Sequence, residues 1–351
     1  MPIVTNTALP SFKRFQGEGG DTMTLEQADQ LGVRGLHVGL MNMMPDAALE
    51  PTERQFFRLL GHASSTSPIF IYPFCPDEII RGSSARQHIG QYYFNFSDLQ
   101  DSGLDALIIS GANPAFANIA EEGFWEPLRK VLDWAQSNVT STLCACLATH
   151  AALLHFFGIE RTPLAEKCWG VFQHVVTLHH PIVEAVESPF YVPHSRWNEI
   201  SRQQMEDVGI NVLAESSTSG VHLATSPDGF RFIFFQGHPE YDHNSLLKEY
   251  KREVNRFIAA ERHNYPPYPA NYFSEPDIGI LSSYEDVVRA EKHKKNAAPN
   301  IGFPEDSLSV RNTWRTAGER IFGNSLMTVC RITGSDRKTP FKDGVLSLIH
   351  I

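Results

Sequence analysis

The chain has 351 residues, 42% of them hydrophobic and 20% charged, enough for one large α/β domain or two modest ones around a full core. A formal net charge of -10 lacks the basic excess that a phosphate-backbone binder needs, so nucleic acid is not an expected partner. The opening MPIVTNTALPSFKRF holds no apolar run fit for a secretory leader, and no stretch approaches a membrane span.

Five scattered cysteines (Cys75, Cys144, Cys146, Cys168, Cys330) make an odd set that does not read as a disulfide framework. Reduced thiols in a cytoplasmic enzyme fit better. Cys144 and Cys146 flank one residue, unlike the C-x-x-C spacing of zinc and redox sites, so no metal is expected.

Residues 1–34 are mixed and polar and read as an N-terminal arm. From Leu36, LHVGLMNMM has the texture of a buried strand stopped by Pro45, and PTERQFFRLLG continues as an amphipathic helix ending at Gly61. PIFIYPF and ALIISG are further strands, FWEPLRKVLDWAQ a helix, TSTLCAC a strand, and THAALLHFFG a helix closed by Gly158. Such alternation predicts an α/β fold: a mainly parallel sheet with helices on both faces, whose ligands bind beyond the carboxyl ends of the strands.

The second half carries short strands, VFQHVVTL, NVLAES, HLATS and FRFIFFQ, read as an extension of the same sheet. GHPEYD ends the last of them and the helix SLLKEYKREVNRFIAAE follows. Residues 274–306 read as a peripheral insertion. A final helix is expected around TWRTAGERIFGNSLM, with 35–325 as the main domain and 326–351 as a C-terminal tail.

Cys146 lies where a strand passes into a helix, a sharp turn that demands small neighbours, here Cys144 and Ala148. A helix start beneath a thiol favours the thiolate and offers N–H groups to an oxyanion. A buried structural cysteine is the bland alternative. His238 and Glu240, two residues apart after an apolar strand, would project to one side, the carboxylate orienting the imidazole. Nucleophile, base and orienter are then all present; a His-Pro turn with a surface Glu is the competing reading.

These residues resemble the class I glutamine amidotransferase (flavodoxin-like) arrangement, in which a strand-borne Cys pairs with a distant His-Pro-Glu. More closely, the chain is similar to the homoserine O-succinyltransferase and O-acetyltransferase family. The stretches LMNMMPDAALEPTERQFFRLLG, ALIISGANPA, STLCACLATHAALLHFFGI, PLAEKCWGVFQH, FYVPHSRWNEI, GHPEYDHNSLLKEYKREV and RNTWR occur in the family's order. The resemblance implies an acyl-CoA co-substrate, no bound cofactor, and a thioester on Cys146 with His238 as base and Glu240 as its partner. It further implies an oxyanion donor at the N–H of Leu147 and a carboxylate grip at Arg252, which otherwise reads as a solvated helix charge. Lys167, Ser195 and Arg196 would shape the amino-acid pocket. Implied partners are acyl-CoA and a hydroxy amino acid, with a homodimer as the envisaged assembly and no membrane.

The sequence also departs from the family. Asp46, Ala47 and Ala48 stand where lysines are usual, and Cys146-Leu147-Ala148-Thr149-His150 replaces Cys-Trp-Gly-Ala-Gln. His150 is near enough in sequence to compete with His238 as base, but has no carboxylate beside it. Ala115 occupies the family's acyl-specificity position, where a small residue admits succinyl and a glutamate favours acetyl. Homoserine succinylation is therefore the expected activity. Acylation of another hydroxy amino acid such as serine, acetyl transfer, and glutamine hydrolysis remain as alternatives.

Overall fold

The computed structural model describes residues 2–62, 67–293, 302–339 and 341. Its eleven strands are β1 (Ile3–Val4), β2 (Thr22–Met23), β3 (Leu36–Met41), β4 (Ile69–Phe74), β5 (Leu104–Ile109), β6 (Val139–Ala145), β7 (Thr162–Val176), β8 (Phe190–Glu199), β9 (Asn211–Ser216), β10 (Gly220–Thr225) and β11 (Phe232–Phe235). They form one continuous sheet in the order β2-β1-β4-β3-β5-β6-β11-β10-β9-β7-β8. The pairs from β2 to β11 are parallel, and those from β11 to β8 antiparallel. This is the expected α/β architecture, a mainly parallel sheet extended by the short strands of the second half.

Side chains alternate across the parallel strands, as the two-residue period of a strand requires. Val38, Leu40, Ala106, Ile108, Leu143, Ala145, Ile233 and Phe235 face one apolar layer, which the helices Pro10–Gly17, Leu49–Gly61 and Arg315–Ile332 cover. Met41, Leu107, Ile109, Cys144, Phe232 and Phe234 face the other, covered by Trp125–Asn138 and Leu147–Phe157. Strands buried on both faces explain the near-continuous apolar runs of the sequence.

The terminal segments belong to these layers. Residues 1–34, expected to be an arm, supply two strands and bury Phe12 and Phe15. The final helix runs through the expected boundary at 325/326 and buries Leu326, Val329 and Ile332 beyond it. Within 274–306, the helix Glu275–His293 buries Leu281, Tyr284 and Val288 in a third cluster with Trp169, Tyr250 and Phe257. Residues 294–301 and 342–351 lie outside the described residues. Among the described residues no helix is long and apolar enough to cross a membrane.

Candidate active site

The edge of the sheet beyond β5, β6 and β11 gathers the candidate chemistry, because these three strands are neighbours in register, with Ile109 opposite Cys144 and Ala145 opposite Phe235. His238 stands three residues beyond the end of β11. Cys146 ends β6 and caps the helix Leu147–Phe157 at φ 50, ψ -108, a conformation that costs a non-glycine residue about 1–3 kcal/mol. The surroundings hold it there. Its N–H donates to the Phe235 carbonyl at 2.7 Å, and its own carbonyl accepts from the Thr149 N–H at 3.0 Å. The Thr149 hydroxyl is shared between the carbonyls of Cys144 (2.7 Å) and Phe235 (3.0 Å), stapling the turn to β11. Both flanking small residues, Cys144 and Ala148, are fully buried, so larger side chains would not fit.

At the end of β11, Gly237 precedes His238. A methyl group on Gly237 would sit 2.6 Å from Val192 Cγ1, 2.8 Å from His222 Nδ1 and 2.9 Å from His194 Nε2, so only glycine lets the chain pass. The His238 N–H donates to the Pro193 carbonyl at 2.8 Å, and its Nδ1 meets Glu240 Oε1 at 2.7 Å. The Cys146 side chain is close enough to act on the ring electrostatically. Burial alone would push the His238 imidazolium toward losing its proton. The Glu240 carboxylate and the Cys146 sulfur outweigh that effect and hold the ring well above the usual histidine range. The Tyr241 ring stacks on His238 with centroids 4.2 Å apart.

Tyr241 connects this centre to a second group. Its hydroxyl donates to Glu249 Oε1 at 2.8 Å, while Glu249 Oε2 receives Ser195 Oγ (2.6 Å), Trp169 Nε1 (2.9 Å) and Lys167 Nζ (3.2 Å). Burial would raise the Glu249 carboxyl; Lys167, Ser195, Tyr241 and the imidazolium together bring it below the usual range. Lys167 and Ser195 are thus brought together through Glu249, which the sequence reading did not single out. Neither Tyr241 nor Glu249 has a sequence signal beyond lying in the GHPEYD-to-helix stretch.

Other expected residues fall differently. Arg196 is buried, donating to the carbonyls of Ser219 and Asn198 and, at 3.4 Å, to His194 Nδ1. Its guanidinium is an interior tie between β8 and the β9–β10 turn, with Glu199 Oε2 at 3.7 Å as its ion-pair partner. Arg252 is 61% exposed and makes one loose ion pair with Glu253 at 3.6 Å. It lines a cleft of about 570 Å3 with Lys248, Lys251, Asn255 and Arg256, without a contact to Cys146, His238 or Glu240. The N–H of Leu147 donates to no protein acceptor among the described residues. Ala115 is exposed in the loop after β5, and that loop begins beside the nucleophile candidate: a methyl group on Gly111 would lie 3.6 Å from Cys146 Cβ.

His150 is buried and paired with Gln236 Oε1 at 2.9 Å. Gln236 Nε2 donates to the carbonyls of Ile200 and Val221, which fixes the amide orientation and makes His150 Nε2 the donor. Burial pulls this imidazole down to about 4. It is spoken for. Asp46, where a family lysine is missing, accepts from the Gly82 N–H (2.8 Å) and Arg81 Nη1 (3.3 Å), and Arg81 in turn holds the carbonyls of Asn42 and Met44. The departure at Asp46 therefore builds the turn after β3.

Fold and site together define the class: an α/β protein whose mainly parallel sheet brings Cys146, His238 and Glu240 to its carboxyl edge. A family description, HTS: Homoserine O-succinyltransferase, matches residues 2–334. The chain is 48% identical over 344 residues to the homoserine O-succinyltransferase of Methylococcus capsulatus, covering 97% of this chain and 96% of that one. It is 49% identical over 348 residues to the homoserine O-succinyltransferase of Methylobacter tundripaludum, covering 98% of each. Among solved structures, a glutamine amidotransferase from Methylobacillus flagellatus aligns at 12% identity and a TM-score of 0.45, covering 84% of this chain and 95% of that chain. The chain belongs to the homoserine O-succinyltransferase family.

Proposed function

We propose that the protein transfers a succinyl group from succinyl-CoA to the side-chain hydroxyl of homoserine through a thioester on Cys146. The observation that carries this reading is the His238 ring held by Glu240 at 2.7 Å and acted on by the Cys146 sulfur, in a member of this family. In the first half-reaction the Cys146 thiolate attacks the acyl carbonyl, the oxyanion is met by the free N–H of Leu147, and the coenzyme A sulfur leaves with the proton from His238. Acylation removes the negative charge on Cys146, one of the two influences that hold a proton on His238. The ring becomes a better base at the moment it must take the proton from the homoserine hydroxyl. The resulting alkoxide attacks the thioester carbonyl and Cys146 departs as the thiolate. Glu240 keeps Nδ1–H donating throughout, leaving Nε2 toward the reactants.

Lys167 and Ser195, fixed by Glu249, line the homoserine pocket next to His238 in this account, and Arg252, whose guanidinium pairs only with Glu253 among the described residues, supplies the carboxylate grip. Ala115 leaves room for the longer acyl chain. Succinyl- and acetyl-CoA are to be assayed for free coenzyme A release against homoserine and serine, with glutamine hydrolysis as a separate arm. Succinyl-CoA with homoserine should give the highest kcat/KM. A preference for acetyl-CoA or serine would replace that part of the reading, and ammonia release from glutamine without acyl transfer would overturn it.

A further inference from the structure

The loop after β5 is clasped from two sides. Glu122, itself buried, accepts the N–H groups of Ala115 (2.6 Å) and Phe116 (2.7 Å) on Oε1. Opposite in charge, Arg161, just before β7, donates from Nη2 to the carbonyls of Phe116 (2.9 Å) and Ala117 (2.8 Å) and from Nε to Ala117 at 3.3 Å. Its Nη1 donates to no protein atom among the described residues. Two of the three guanidinium nitrogens are therefore anchored and the third is left over, half-buried, in the loop that carries Ala115.

We propose that Arg161 recognises the distal carboxylate of a dicarboxylic acyl donor, its anchored guanidinium presenting Nη1 to the carboxylate while Cys146 holds the other end of the acyl chain. This rests on the succinyl reading above. Burial makes the guanidinium a weaker base, the charges of Glu122 and Cys146 counteract that loss, and the loop Arg161 holds begins at Gly111, where a methyl group would lie 3.6 Å from Cys146 Cβ. Only a donor with a terminal negative charge gains from it. Glu122 is the opposing charge in this loop, and its Oε1 is occupied by two amide donors. A planar guanidinium already fixed by its Nε and Nη2 edges loses little freedom when a carboxylate docks, which suits it to selecting one acyl group over another.

A carboxylate contact must be separated from loop support, since Arg161 also holds residues 116 and 117. The test compares wild type, Arg161→Met and Arg161→Lys with three donors and homoserine as acceptor: succinyl-CoA, the terminal methyl ester of succinyl-CoA, and acetyl-CoA. The methyl ester keeps the length and removes the charge. Wild type should prefer succinyl over its ester, and Arg161→Met should lower kcat/KM for succinyl on the order of 100-fold while leaving the ester and acetyl donors within a few-fold. Arg161→Lys should recover part of the succinyl rate. An equal loss with succinyl and its ester would assign Arg161 to loop support alone and overturn the inference. So would a wild type indifferent to the ester. A wild type that uses acetyl-CoA and neither longer donor would instead sink the succinyl reading itself, and the inference with it.

Discussion

His238 differs from every other imidazole near it. His150, His174, His194 and His222 are buried without a carboxylate partner, and each is driven toward the neutral form by burial. His238 is equally enclosed but has Glu240 and Cys146 against it, so its proton is retained and is lost only as pH rises past an elevated value. Glu240→Gln removes the carboxylate that contributes most to this retention. The His238 ring titration, followed by NMR, should move to lower pH in that variant. His238→Ala should reduce acyl transfer by roughly 100- to 10,000-fold. His150→Ala should act through stability, because His150 is tied to Gln236. A larger loss of turnover from a well-folded His150→Ala than from His238→Ala would require the roles to be redrawn.

Much of this site is legible in the sequence, because its signals are local. A cysteine between a strand and a helix with small flanking residues, and His-Pro-Glu at a strand end, each need only a short window. Thr149, Tyr241 and Glu249 escaped for the opposite reason. Thr149 appeared as one residue of an altered motif, and its hydroxyl finds the carbonyls of Cys144 and Phe235 only once β6 and β11 are paired. Glu249 reads as one more charge on a helix until β7 and β8 bring Trp169, Lys167 and Ser195 to it.

At the scale of elements, the RNTWR stretch has a mechanical reading. The Trp314 indole N–H donates to the Tyr241 carbonyl at 2.8 Å, and Asn312 Oδ1 accepts from the Arg315 N–H at 2.8 Å, capping the helix Arg315–Ile332. Arg315 and Arg58 both reach Asp242, at 3.4 and 2.5 Å. The final helix thereby holds the loop that carries His238 and Glu240. Trp314 is 1% exposed, so Trp314→Ala should cost about 3–5 kcal/mol of stability. Trp314→Phe retains most of the packing and loses only the hydrogen bond, worth about 1 kcal/mol. Denaturant titration should separate the two. Equal, small losses would mean that the loop does not depend on this contact.

The elements with a strict two-residue alternation or a clear apolar helix face were the readable ones. β8 was harder, since Pro193 interrupts FYVPHSRWNE; it is an edge strand, where a missing N–H is tolerated. The helix Glu275–His293 has a weak apolar stripe and a charged end, so it resembled an insertion. Its buried side chains share a cluster with Phe257 and with Trp169, which lies on β7 far away in sequence.

For the whole molecule, the buried histidines set an acid limit. His150, His174 and His180 are held down at about 4 by burial. A histidine whose folded-state value lies below its unfolded one takes up its proton more readily when the chain unfolds. Stability should therefore fall as pH drops from about 6.5 toward 4 and level off below that, each of these three contributing on the order of 3 kcal/mol. His194, His174 and the Arg196 guanidinium form one chain of contacts between β7 and β8, with Nε2 to Nε2 at 3.2 Å. The acid transition should accordingly begin in the antiparallel half. Unfolding free energies measured across this range, with hydrogen exchange to locate the first protection lost, would contradict the account if stability were flat between pH 6.5 and 4.

The thioester on Cys146 is the central claim, and mass spectrometry tests it most directly. Enzyme mixed with succinyl-CoA in the absence of any acceptor, then digested, should carry one succinyl group on the peptide containing both Cys144 and Cys146. Cys144→Ser should retain the adduct, because that thiol is buried and pushed far from ionisation, whereas Cys146→Ser should lose it along with turnover. Homoserine added afterwards should discharge the group. An adduct that survives in Cys146→Ser, or one that homoserine leaves in place, would contradict the account.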